Sequence, residues 1–359
     1  MKKIAVLLLC LLLLASCGKT PREAPGPLFE EPIVPAFSIK IPPLPELPEP
    51  LPYVNPLTGE GCETEIAMQR PCAIMLNNLK KALPQAGVSE ADLIYEVCAE
   101  GGITRMLGVF QSVEGVGNIG TVRSARDYYV SLAAGHDALF LHAGGSPRAY
   151  EVIKSWGISA FDCVNGPYEG TLYWRDKERR RSAGMEHSVL TSGENISTLM
   201  PTYRTRLDHK EGYTYPMSFA QDAAPADGWE ASTITVKFST YKTGVFTYDG
   251  ASGQYLVEEY GQPYIDANTG EQVAVKNVLV LFTDKSIIPG DEAGRLKVRT
   301  TGSGSGYFAC GGRAVEIKWS KPEVHSPLTY TTADGNELIF GIGPTYVNIV
   351  GTKDPVSFA

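Results

Sequence analysis

The run Leu93-Ile94-Tyr95-Glu96-Val97-Cys98-Ala99, the turn Glu100-Gly101-Gly102 and the run Ile103-Thr104-Arg105-Met106-Leu107-Gly108-Val109-Phe110 decide the fold class. Two apolar-rich runs joined by a glycine pair read as a β-hairpin. Side chains alternate across a strand, so Ile94, Glu96 and Cys98 share one face of the first run. Ile103, Arg105, Leu107 and Val109 share one face of the second. Upstream, Pro71 to Asn77 reads as a buried strand. Downstream, Ser124 to Ala134 has helical composition and stops before Gly135. Ala138 to His142 is a short apolar strand. Ser146-Pro147 then opens a helix, with Ser capping the free N–H groups and Pro where no N–H is needed; the helix runs to Trp156. Asn195 to Met200 suggests another short helix.

From Thr233 the texture changes. Thr233–Ser239, Val245–Asp249, Gln254–Glu259, Val273–Thr283, Gly294–Thr300, Tyr307–Ala309, Ala314–Trp319, Glu337–Phe340 and Tyr346–Val350 read as strands, punctuated by Asp249-Gly250, Thr269-Gly270, Gly311-Gly312 and Asp334-Gly335. The expected class is α+β: a mixed sheet with helices in the N-terminal part (55–225) and a β-rich C-terminal part (226–359). Whether the second part stands alone or completes the first part's sheet is open at this level.

The chain starts with Met1-Lys2-Lys3, an apolar run from Ile4 to Leu14, and Leu14-Ala15-Ser16-Cys17. A basic start, a short apolar region and small residues before a cut site form a secretory signal, here 1–16. The run is shorter than the roughly 20 residues of a membrane-spanning helix. Leu-Ala-Ser-Cys resembles the lipobox of bacterial lipoproteins, which implies lipidation at Cys17 and an extracytoplasmic body anchored to the bacterial membrane. Residues 17–54 form a linker, with 11 prolines between Pro21 and Pro52. Such a chain favours polyproline II and reaches about 100 Å. The 359 residues carry 32 Lys+Arg against 40 Asp+Glu, a net charge of −8. Removal of Lys2 and Lys3 makes this about −10, which argues against sequence-independent nucleic-acid binding. Five cysteines follow Cys17, an odd number without a Cys-x-x-Cys, and the expectation is mostly free, partly buried thiols.

Two constellations stand out for chemistry. Gly120-Thr121-Val122-Arg123-Ser124-Ala125-Arg126-Asp127 sets two arginines around an expected helix start, where free N–H groups and the helix dipole favour an anion. Arginine adds a planar fork suited to carboxylate or phosphate. His142-Ala143-Gly144-Gly145-Ser146-Pro147 repeats the pattern of strand, glycine turn and helix start. Ordinary capped helices with surface ion pairs account for the same residues. Glu96 and Glu100 beside Arg105 are compatible with acid–base or metal chemistry, or with a cross-strand Glu96–Arg105 ion pair. Trp174-Arg175-Asp176-Lys177-Glu178-Arg179-Arg180-Arg181 is a basic run, read as an anion contact or a solvated face, and His187 follows it. Gly302-Ser303-Gly304-Ser305-Gly306 lacks a following Lys-Ser/Thr, so it reads as a hairpin turn rather than a phosphate loop. There is no Gly-x-Ser-x-Gly and no His-Glu-x-x-His.

Several pieces occur together in order: Arg70-Pro71 with Asn77-Asn78; Asp92-Leu93-Ile94-Tyr95-Glu96; Glu100-Gly101-Gly102-Ile103-Thr104-Arg105; Ile119 to Arg126; His142 to Pro147; Tyr173-Trp174-Arg175-Asp176; Gly306-Tyr307-Phe308; and Ile317 to Lys321. This set resembles the YerB-like lipoproteins, a bacterial family of domains of unknown function, over roughly 55–350. The resemblance implies lipid anchoring and α+β architecture, and no reaction. Gly184-Met185-Glu186 stands before His187 where the family pattern has Ala-Pro. The order of Asp92, the hairpin, Ser124-Ala125-Arg126-Asp127 and Gly144-Gly145 is also similar to LytR-CpsA-Psr phosphotransferases, whose motif has Pro at Ala125.

The expected function is binding of an anionic cell-envelope ligand or an exported protein partner, without chemistry of its own. The candidate residues are Glu96, Arg105, Arg123, Arg126, His142, Ser146 and Arg175. No cofactor and no metal is expected. The alternative is a phosphotransferase or hydrolase acting on lipid-linked phosphate or wall glycopolymer, with Asp92, Glu96 or Asp127 holding a divalent metal.

Overall fold

The computed structural model describes Gly26 and residues 50–359. Residues 50–359 form a compact unit. The expected signal at 1–16, the lipidation site Cys17 and nearly all of the Pro-rich linker lie outside the described residues.

The elements that position the site follow in chain order. The first part holds β1 (Cys72–Asn77), β2 (Leu93–Cys98), β3 (Thr104–Phe110), β4 (Asn118–Gly120), α1 (Asp127–Gly135), β5 (Leu139–His142), α2 (Pro147–Ser155), β6 (Ala160–Asp162), β7 (Trp174–Arg175), α3 (Lys177–Ser182), β8 (Val189–Ser192) and α4 (Gly193–Leu199). The second holds β9 (Trp229–Glu230), β10 (Thr233–Lys237), β11 (Thr243–Asp249), β12 (Gln254–Glu259), β13 (Asn277–Thr283), β14 (Gly302–Cys310), β15 (Arg313–Lys321), β16 (Thr345–Gly351) and β17 (Val356–Phe358).

An 11-stranded mixed sheet runs β9-β15-β14-β13-β16-β2-β3-β1-β5-β6, with Thr329–Thr332 added to β15. Strands from both parts share it, because β16 pairs in parallel with β13 on one side and β2 on the other. The question left open by the sequence is answered here: the β-rich part completes the first part's sheet. Central strands β1 and β2 are buried along their whole length, as expected for a sheet covered on both faces.

Alternation sorts the side chains into two cores. Ala73, Met75, Tyr95, Val97, Leu107 and Val109 pack under Tyr128, Tyr129 and Leu132 of α1 and Val152 of α2. Ile74, Leu76, Ile94, Cys98 and Met106 face the other way, onto Ile234, Val236, Phe246, Tyr255 and Val257 of a smaller antiparallel sheet built on β12-β11-β10-β17. The result is three layers: helices, large sheet, small sheet.

Three local expectations change. The hairpin register sets Glu96 opposite Met106 and Val97 opposite Arg105. Glu96 and Arg105 therefore lie on opposite faces, and the cross-strand ion pair does not form. Residues 302–306 are not a turn but the first half of β14. A Cβ on Gly304 would meet the Trp319 Nε1 at 2.6 Å, and one on Gly306 the Val280 carbonyl at 2.4 Å, so these glycines serve close packing. Helix α1 starts at Asp127, later than read, because Arg126 stays extended as its N-cap.

All five described cysteines are free thiols, and four are buried. Burial pushes Cys72 up to about 12. Among the described residues no helix is long and apolar enough to cross a membrane.

Candidate functional site

Strands β1, β5 and β6 are parallel neighbours. Open sheets of this kind collect ligands at the carboxyl ends of their strands, and an open cleft of about 750 Å³ lies there. Its floor is two adjoining turns. Ala125 N–H donates to the Gly144 carbonyl at 2.9 Å and Ser146 N–H to the Ala125 carbonyl at 3.1 Å. The two helix starts read from the sequence are thus side by side. Ser146 caps α2 by accepting from Ala149 N–H at 3.1 Å, with Pro147 in the first turn. Gly144 has φ +77°, a left-handed conformation open to glycine at little cost.

The charged lining is Lys81, Arg123, Arg175 and Glu186, and Glu169 pairs with Arg175 at its edge, three cations against two anions. Arg123 Nη2 bonds Glu186 at 2.7 Å, and its Nε is buried without a partner. That hydrogen bond and the charge of Arg123 lower the Glu186 carboxyl below its usual range. Arg175 Nε bonds Glu169 at 2.9 Å, and its Nη1 donates to the Met185 carbonyl at 2.9 Å. Both acids are half-exposed, with side chains 59% and 45% accessible, so an incoming anion competes for the arginines at the solvent boundary.

Of the residues singled out from the sequence, Arg123 and Arg175 line the cleft with the Gly144-Gly145 turn, and Ser146 caps the helix behind it. His142 lies beneath. It is buried, its Nδ1 bonds the Gly144 carbonyl at 2.8 Å, and its ring stacks on Phe140. It shapes the turn rather than facing ligand. Arg105 and Arg126 are buried supports. Arg105 Nη2 and Arg126 Nε hold the two oxygens of Glu100 at 2.8 and 3.0 Å. Arg105 also donates to the Ser124 carbonyl at 2.5 Å and Arg126 to the Ala125 carbonyl at 2.8 Å. They fix the 124–125 turn and leave one net positive charge under it. Burial, then the neighbouring Arg126, brings Arg105 down to about 10, still protonated at neutral pH. Glu96 is elsewhere, in the layer between the two sheets, where it pairs with Lys242.

The carboxylates of the enzymatic alternative do not meet in one place. Asp92 accepts from Asn55 and Gln111, Glu96 faces Lys242, and Asp127 opens α1. Among the described residues no group of three or more His, Cys, Asp or Glu is placed to hold a metal.

Sequence reasoning missed Asp162. It accepts from Gly144 N–H at 2.7 Å, Val164 N–H at 2.9 Å, Tyr150 Oη at 2.8 Å and Asn165 Nδ2 at 3.2 Å. Burial alone raises its carboxyl; the N–H groups of Gly144 and Val164 outweigh this and lower it. The available signal was its place as the last residue of a strand before Cys163-Val164-Asn165, an Asx-type turn. Lys81 and Glu186 carried no local signal.

Two family profiles match the chain. The one described as "Protein of unknown function (DUF3048) N-terminal domain" covers residues 57–206, and its C-terminal counterpart covers 234–347. The "Putative lipoprotein YerB" of Bacillus subtilis (strain 168) is 33% identical over 309 residues, 85% of this chain and 88% of that protein. The crystal structure of YerB protein from Bacillus subtilis superposes with a TM-score of 0.73 at 30% identity, over 85% of this chain and 99% of that one.

Proposed function

The chain belongs to the DUF3048 family of YerB-like proteins, and from that premise we propose that it is a lipid-anchored extracytoplasmic protein whose cleft binds an anionic envelope ligand. Cys17 in its lipobox-like setting carries the anchor. Two or more acyl chains, at about 0.8 kcal/mol per buried methylene, hold a protein stably on a membrane. The observation that carries the binding reading is a cationic cleft in a protein of net charge −8. Arg123 and Arg175 have their positions set by neighbours and are countered only by exposed carboxylates. Phosphate or carboxylate oxygens match the planar guanidinium fork.

The test is titration of the protein with phosphorylated wall fragments at two ionic strengths. Arg123→Ala with Arg175→Ala is expected to weaken binding at least tenfold, and added salt to weaken the wild type, since exposed charges are screened within about 10 Å at 0.1 M. A folded double variant that binds as the wild type does sinks the assignment.

A further inference from the structure

Away from the cleft, between the two sheets, a polar cluster sits in a dry space, where Thr104 and Tyr346 donate to Glu96. Four of its side chains bear an amine, an amide or a carboxylate. Asn78 follows β1, Glu96 lies on β2, Lys242 precedes β11, and Glu259 ends β12. None is more than 2% exposed. Lys242 Nζ lies 3.0 Å from Glu96 Oε1 and 2.5 Å from Glu259 Oε2. Asn78 Nδ2 lies 2.9 Å from the same Glu96 oxygen and 3.5 Å from the same Glu259 oxygen. Amine and amide are therefore neighbours, bridged twice by carboxylates. Asn78 Oδ1 is buried without a partner. The rings of Phe238 and Tyr260 stand 5.6 and 5.7 Å from Nζ.

A buried Glu–Lys–Glu set is a poor source of stability, because desolvating the ions offsets their attraction. It is, however, a complete set for amide exchange. We propose that Lys242 and Asn78 form an intramolecular isopeptide bond, with Glu96 and Glu259 carrying the protons. The Lys242 ammonium passes one proton to Glu259. The Nζ lone pair attacks Asn78 Cγ, the Cγ–Nζ bond forms, and the second Nζ proton goes to Glu96. Glu259 returns its proton to Nδ2, the Cγ–Nδ2 bond breaks with its electron pair on nitrogen, and ammonia leaves with the proton from Glu96 as ammonium. Both carboxylates are restored and nothing is oxidised or reduced. Glu259 suits the transfer: burial, against the opposing pull of Lys242 and with the repulsion of Glu96, raises its carboxyl well above the usual range and makes its carboxylate a stronger base. Burial disfavours the Lys242 ammonium, but the facing Glu96 and Glu259 carboxylates outweigh it and hold Lys242 above its usual value, so the proton moves within the buried pair rather than to solvent. The bond ties residue 78 to residue 242 in a protein whose described cysteines form no disulfide.

The readout is peptide mass spectrometry of the full chain, purified from producing cells, denatured and digested with trypsin. The expected product joins peptides 41–80 and 238–276, lighter than their sum by one ammonia and uncut after Lys242. Lys242→Arg keeps the charge and lacks the nucleophilic amine, and it yields only separate peptides. Separate wild-type peptides, cut after Lys242 and retaining Asn78 as its free amide, overturn the proposal; this readout needs no variant to fold.

Discussion

Replacing Asp162 with Ala tests how the cleft is held open. The carboxylate takes two backbone N–H groups, from Gly144 and Val164, together with Tyr150 and Asn165, and its side chain is 12% accessible. A hydrogen bond to a charged group contributes about 1.5–3 kcal/mol. Tyr150 and Asn165 line the open cleft and recover water, so only the two N–H bonds count strongly, and the loss is about 3 kcal/mol. That is a large part of the 5–15 kcal/mol typical of a folded domain. Urea unfolding followed by intrinsic fluorescence is expected to show a midpoint lower by roughly 1 M with unchanged slope. The pH dependence has a definite sign. The native carboxyl is lowered from its usual value near 4, so its ionised contribution is present above that pH and is lost as pH falls through the lower native value. The stability gap between wild type and Asp162→Ala is expected to narrow below about pH 4. A loss under about 0.5 kcal/mol at neutral pH, or a gap just as wide in acid, refutes the role given to this residue.

Two further outcomes follow from the same region. Ser146→Ala removes the cap of α2 and is expected to cost about 1 kcal/mol, read as a lower thermal midpoint, with Ser146→Gly milder. Glu100→Gln leaves the Arg105 and Arg126 guanidiniums facing each other without a counter-charge. A fully buried unpaired charge costs 3–5 kcal/mol; with Glu100 partly exposed, about 2–3 kcal/mol is expected in chemical denaturation.

Much of the frame was legible in the residues. Alternation in 93–110 and the Ser146-Pro147 opening found the hairpin and α2, because both are local signals. Gln254–Glu259 was bounded correctly for the same reason. The pairing of Glu96 was not legible, since a single step in register moves a side chain to the other face. Its partner Lys242 lies 146 residues further along the chain. In the cleft, Arg123 and the Gly144 turn showed themselves as strand–turn–helix patterns. Arg105 and Arg126 looked equally available; only the folded hairpin reveals that Glu100 occupies both. Asp162 sits in a local Asx-type turn; Lys81 and Glu186 reach the cleft through tertiary contacts that no short motif encodes.

The place of β16 in the large sheet has a temporal side. Thr345–Gly351 is the filling between Asn277–Thr283 and Leu93–Cys98. As the polypeptide emerges N-terminus first into the compartment where it folds, the outer edge of Leu93–Cys98 has no neighbour until more than 240 further residues have followed. An unpaired apolar strand edge invites other chains to add to it, and pairing across so long a loop is slow. The polypeptide is therefore most exposed to aggregation just before its last strands arrive. A purified chain ending before Thr345 should aggregate on dilution from denaturant, and the full chain should refold under the same conditions.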